Sequence, residues 1–361
     1  MAERWATGEP HFGKKTLEET GSLCRSISDY CWCVVSFVAN AGVCHRGKAQ
    51  HHFHDVYTGK AGKFIQDCHS SRTPFFVYLA FFAPHAPATP APRHAGLFQD
   101  ARVPRTPAFN EADVSAKPQF IRDLPPMTSK EVASADAYYG KRLASLQAVD
   151  EAIDTICQTL AKTGQLDNTY IAFASDNGFH LGEHRLIRGK RSAYQTDTHV
   201  PLIVRGPGIA KGTTISALAG NIDLAPTFAD LVGAAVPKFI DGRSLAAILK
   251  GRAGKNWRQA FLIEQWQQDV EPNIEKSGAE ITLGRKFEAM VPQYKALQRA
   301  DNVFVQYVSG EREYYNLFAD ASQVNNLSGS LSKEQLNSKT AYTQKLAGSA
   351  GDQARRLESL K

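Results

Sequence analysis

Ser175, Asp176, Asn177 and Gly178 interrupt an apolar run ending at Ala174, and His180, His184 and Lys190 follow before a second apolar run, VPLIV, at 200–204. Asp176 offers a charged oxygen and Asn177 a neutral one, a pairing that hard cations such as calcium or magnesium accept. Gly178 lets the backbone turn sharply after them. Lys190, which follows Gly189 in IRGKRSAY, can present a point charge to an oxyanion. His85 stands at the end of another apolar run, between Pro84 and Pro87, which stiffen its loop. A divalent cation, an imidazole and an ammonium around one anion would neutralise the non-bridging and leaving oxygens of a sulfate or phosphate ester during cleavage. Each group alone has a plainer reading: Asp-Asn makes turns, and loop histidines and lysines are usually solvated.

Such groups need strand ends to carry them. PFFVYLAFF, 74–82, is a continuous apolar run of strand length, as in a strand covered on both faces. DVYTGKAGKFI, 55–65, suits a short helix. Leu146, Val149, Ile153, Ile156 and Leu160 recur at spacings of three and four, which predicts a helix stopped by Gly164. A strand over 170–174 follows and delivers Asp176 and Asn177 at its carboxyl end, where open α/β sheets present ligand groups. After strand 200–204, NIDLAPTFADLVG predicts a helix capped by Asp223 with Pro226 in its first turn. This alternation predicts an α/β fold, a mixed, mostly parallel sheet sandwiched by helices. Beyond 290, YKALQRA, NVFVQYV and EYYNLF predict a small C-terminal antiparallel sheet. The expected division is an atypical N-terminal segment at 1–50 with no clear strand-turn pattern, an α/β domain over 51–265, an antiparallel subdomain over 266–330 and a polar helical tail over 331–361.

The 361 residues, 43% hydrophobic, suffice for a full core. A net charge of +6, with 42 basic residues scattered among 36 acidic ones, suits anionic substrates and argues against a nucleic-acid partner. CWCVVSFVANAGVC, 31–44, is too short for a membrane span and stands too far from Met1 for a secretory signal. Cys31, Cys33, Cys44 and His45, with His51, His52 or His54, could be combined into a zinc cluster, but their spacing fits no usual module, and incidental cysteines are the preferred reading.

PFFVYLAFFAPHAPATP, TYIAFASDNG, GEHRLIRGKRSAY, VPLIVRGPG, DLAPTFADLVG with DGRSL, and GEREYYNLFADASQVNNL occur in the order seen in sulfatases of the alkaline-phosphatase superfamily, and over 52–328 the chain resembles that family. The wording is nearest to glucosamine-6-sulfatase-like and arylsulfatase-like members. The resemblance implies that Asp176 and Asn177 are calcium ligands and that His85 and Lys190 bind the sulfate and assist the leaving group, with His184, and equally His180, facing the same cleft. It implies a sulfated small molecule or glycan as substrate, and a secreted, periplasmic or lysosomal setting. Sulfatases also carry an early Asp-Asp pair and Cys-x-Pro-x-Arg, whose cysteine becomes the formylglycine nucleophile; neither occurs here. The lookalike CHSSR, Cys68 to Arg72, lacks the proline and precedes strand 74–82 directly, so Cys68 is read as a decoy. Two functions follow: a sulfuric ester hydrolase of doubtful activity, its catalytic start lost or replaced, or a non-catalytic truncated remnant that binds anions or a partner. A phosphodiesterase or phosphonate hydrolase is disfavoured by GKRSAY and EYYNLF.

Overall fold

Strand β1 (Leu23–Ile27) pairs antiparallel with β2 (Tyr30–Val38), and β2 pairs in parallel with β3 (Phe75–Ala80), Val35 lying opposite Val77. The computed structural model describes residues 53–252, 256–266 and 290–360, with the backbone of β1 and β2. A parallel pair needs a crossover, and helix α1 (Phe53–Ser71) lies between β2 and β3 in sequence. The expectation of no strand pattern within 1–50 is therefore corrected: β2 is the middle strand of a three-stranded sheet. Its sequence, YCWCVVSFV, is apolar at nearly every position, a run of the same kind as the one that forms β3. The helix expected at 55–65 extends to Ser71.

By contact density the chain divides into two compact units, the first comprising residues up to His85 with Pro90–Ala95 and Ala144–Asp167, the second the remainder. In the first unit, His54 is fully buried near the start of α1, and its Nε2 accepts the Ala83 backbone N–H at 3.3 Å. Arg93 bridges Asp55 of α1 and Glu151. Glu151 lies on α2 (Ser129–Lys162), the long helix that carries the predicted Leu146–Leu160 stripe.

In the second unit β4 (Ile171–Ala174) pairs antiparallel with β5 (Leu202–Arg205), Ala172 opposite Val204. Four strands, β6 (Phe261–Gln265), β7 (Tyr294–Gln298), β8 (Asn302–Tyr307) and β9 (Arg312–Asn316), form an antiparallel meander in sequence order. The fold is thus mixed helix and sheet with the small antiparallel sheet as expected; among the described strands the parallel pairing is β2 with β3. The sheet's Ala296, Val303, Val305, Tyr307 and Tyr315 share a core with Leu181, Leu186 and Tyr194 of the loop between β4 and β5. Its other face holds Leu297 and Phe304 against Leu346, Ala354 and Leu357 of the helices Lys333–Ala347 and Gly351–Glu358, so the chain over 333–358 is mostly helical and packed. Ser332 starts the first of these with a capping box, its Oγ accepting from Gln335 N at 3.1 Å. Among the described residues no helix is long and apolar enough to cross a membrane.

Candidate functional site

The chain leaves β4 at Ala174 and does not re-enter a strand until Leu202, and the intervening loop is tied down at both legs. Its outgoing leg is held by its return leg: the N–H groups of Gly178 and Phe179 donate to the carbonyls of Asp197 (2.9 Å) and Thr196 (2.8 Å). Gly178 is required by this closeness, because a Cβ there would lie 2.0 Å from the Thr196 carbonyl oxygen. Its φ is not in the left-handed region, so the expected reason, a sharp turn, is replaced by a close approach.

Asp197, buried and unremarkable in AYQTDTH, joins the legs again through its side chain. Its carboxylate meets His180 Nδ1 at 3.0 Å and accepts from Ser192 N (2.8 Å) and Ser192 Oγ (2.6 Å). His180 is therefore a buried histidine oriented by a carboxylate.

With the legs fixed, Lys190 Nζ donates to Asn177 Oδ1 at 3.0 Å. Asp176 is exposed, and its Oδ1 accepts the Asn177 backbone N–H at 3.0 Å. The structure thus brings Lys190, 13 positions on, to Asn177, the neighbour of Asp176 in sequence. Asp176 and Asn177 fit an oxygen-preferring cation in kind, though two protein oxygens fall short of the roughly 6–8 ligands calcium takes. Among the described residues no group of three or more His, Cys, Asp or Glu side chains is arranged for a metal. Asn221 also reaches this turn, its Nδ2 donating to the carbonyls of Ser175 (2.9 Å) and Asp176 (3.2 Å). Sequence reading missed it because its neighbour Asp223 drew attention as a helix cap. That expectation is corrected: the Asp223 side chain does not cap the helix α3 (Leu224–Leu231) but takes Arg258 and backbone N–H groups.

His184 is buried, and its Nδ1 lies 2.6 Å from Glu111 Oε2 while its ring stacks on Tyr194 with centroids 3.8 Å apart. Burial pushes Glu111 up to about 7 and holds the His184 imidazolium disfavoured well below the ordinary histidine range, with the nearby Lys117 ammonium adding to the effect on His184. Behind them the buried Glu313 carboxylate accepts the hydroxyls of Tyr194 (2.7 Å), Tyr307 (2.6 Å) and Tyr315. His184 and Arg185 both have positive φ, conformations that cost on the order of 1–3 kcal/mol each and persist only where the surroundings enforce them. Arg185 supplies that enforcement by donating to the carbonyls of Glu111, Leu124 and Ala112 at 2.7–2.9 Å.

His85 is exposed in the turn after β3, in the first compact unit; its N–H donates to the Phe82 carbonyl at 2.9 Å and its ring lies 5.0 Å from that of Phe82. Cys68 is buried in the last turn of α1. His54, one of the zinc alternatives, uses its Nε2 on the Ala83 N–H; the side chains of Cys31, Cys33, Cys44, His45, His51 and His52 lie outside the described residues.

Comparison with known proteins places the chain beside sulfatases. The family profile described as Sulfatase matches residues 26–234, and that described as N-sulphoglucosamine sulphohydrolase, C-terminal, matches 182–347. The first match begins inside the segment expected to be atypical. The extracellular sulfatase SULF-1 homolog of Drosophila melanogaster is 35% identical over 221 residues, 60% of this chain and 20% of the relative. The N-acetylglucosamine-6-sulfatase of Homo sapiens is 32% identical over 284 residues, 75% of this chain and 51% of the relative. The chain therefore spans about half the length of that relative and a fifth of the other. Among solved structures, a protein in complex with its substrate D-glucosamine-2-N,6-O-disulfate superposes with a TM-score of 0.64 at 27% identity, covering 81% of this chain and 68% of the other.

Proposed function

The chain belongs to the sulfatase family, and from that premise we propose that it carries the charge-neutralising half of a site for sulfate monoesters on an amino-sugar glycan or an aryl group. The observation that carries this reading is the contact of Lys190 Nζ with Asn177 Oδ1, which ties a cation to the residue that follows the exposed Asp176. In the proposal Asp176 and Asn177 hold calcium, which when bound would polarise the sulfuryl oxygens. Lys190 binds a non-bridging or leaving oxygen as a point charge, and His85 is assigned by resemblance to the leaving group as a proton donor. For His184 the part is a supporting one: paired with Glu111, it fixes the backbone of the loop that ends in Lys190. The surrounding architecture in this proposal is the mostly parallel sheet of an open α/β fold, and the preference for a 6-sulfated glucosamine rests on the named relatives.

Catalysis by this chain alone is expected to be weak. A sulfatase needs a positioned nucleophile as well as charge neutralisation, and each lowers the barrier separately. Cys-x-Pro-x-Arg does not occur in the chain, and Cys68 is buried at the carbonyl end of a helix. The test is turnover of an aryl sulfate and of 6-sulfated glucosamine by the purified chain, with and without calcium, beside Lys190→Ala and Cys68→Ala. The expected result is slow, calcium-assisted turnover that Lys190→Ala removes and Cys68→Ala leaves intact. Robust turnover abolished by Cys68→Ala would restore Cys68 as nucleophile, whereas no turnover with retained sulfate binding would favour a non-catalytic anion binder.

A further inference from the structure

Asp176 is the exposed end of a turn, and its direction is set by the two peptide planes that flank its Cα. The carbonyls of those planes belong to Ser175 and Asp176, and Asn221 Nδ2 donates to both, at 2.9 and 3.2 Å. Gripping both carbonyls with one amide fixes φ and ψ of Asp176 together, and hence where its carboxylate points. We infer that Asn221 is a positioning residue for the Asp176 carboxylate, anchored from the interior through Asp223 and Arg258.

The anchor is rigid on every side the structure describes. Asn221 opens the short 3-10 turn Asn221–Asp223, and two residues on the fully buried Asp223 carboxylate meets four donors. Oδ2 accepts from Gly220 N (2.9 Å) and Arg258 Nη1 (2.6 Å), and Oδ1 from Arg243 N (2.7 Å) and Arg258 Nη2 (2.9 Å). Arg258, itself buried, is held by Glu358 Oε2 at 2.7 Å, on the last helix, and lies over the Phe261 ring at 4.6 Å. Gly242 closes the other side, since a Cβ there would sit 2.0 Å from the Ile222 carbonyl oxygen. A residue whose backbone is clamped this firmly while its side chain is exposed is suited to orient another group and adds little to the core.

The role assigned to the carboxylate rests on the reading of Asp176 as a cation ligand; the clamp itself does not. The experiment separates them by using the full chain with Asn221→Ala and the similarly sized Asn221→Leu, read in three ways. Hydrogen exchange of the amides at 176–178 should quicken about 3- to 10-fold, the worth of roughly one net hydrogen bond, with the melting temperature lowered by only about 2–4 °C. Calcium titration should show affinity weakened by a similar factor. Unchanged exchange at 176–178 overturns the inference whether or not calcium binds, and so does quickened exchange with calcium affinity equal to wild type. Quickened exchange in a chain that never binds calcium supports the clamp and refutes the cation reading instead.

Discussion

Replacing Glu111 by Gln should expose a pH dependence of stability that the wild-type pair conceals. Glu111 has its pKa raised from 4.5 to about 7 by burial, and His184 has its pKa lowered well below 6.5, chiefly by burial as well. A raised carboxyl contributes stability at low pH that is lost as pH rises through about 7; a depressed imidazole contributes stability at high pH that is lost as pH falls below 6.5. Between 4.5 and 6.5 the two oppose. There the native pair carries one proton, on Glu111, and the unfolded chain carries one, on His184, so the proton counts match and the slope from this pair vanishes. Glu111→Gln keeps an acceptor for His184 but removes the native proton site. The unfolded state then binds one proton more below pH 6.5 as long as buried His184 stays neutral in the native state, and stability should fall there by about 1.4 kcal/mol per pH unit on acidification. The assay is urea unfolding of wild type and variant at half-unit steps from pH 4.5 to 7.5, so that titrations common to both cancel in the difference. His184→Gln should tilt the difference the other way, with stability gained on acidification from pH 7. A Glu111→Gln profile parallel to wild type would refute the reasoning, because it would mean that the native pair does not hold the proton as burial requires.

Three further outcomes follow from the packing. Asp223→Asn removes one of the two carboxylates facing buried Arg258 and should destabilise by about 1–3 kcal/mol in denaturant titration, since the guanidinium keeps only Glu358, which Arg243 shares, as counter-charge. Gly178→Ala forces the Thr196 carbonyl away and should cost about 1–3 kcal/mol by thermal unfolding, with weaker calcium binding as the Asn177–Lys190 contact shifts. Asp197→Asn leaves a donor among His180 Nδ1, Ser192 N and Ser192 Oγ facing an amide N–H₂, and should cost about 1–3 kcal/mol, measured by the same unfolding.

Local pattern carried a good part of this protein. The helical spacing from Leu146 to Leu160, the apolar runs that became β3, β4 and β5, the alternation in β7 to β9 and the position of Asp176 and Asn177 at a strand end are all properties of neighbours in sequence, and a sequence displays them directly. The pairing of β2 with β3 was hidden because parallel partners such as Val35 and Val77 meet only through a crossover, which no local pattern displays. Asn221, 45 positions from Asp176, and Glu111, 73 from His184, could not be found by spacing at all. Asp223 looked like a cap because Asp before a helix usually is one, yet a buried guanidinium 35 positions on outbid the helix N–H groups for its oxygens. Residue types state which chemistry a side chain can do. Which partner receives it depends on burial and on chain segments brought side by side, and those exist only once the tertiary structure has removed water and fixed the distances.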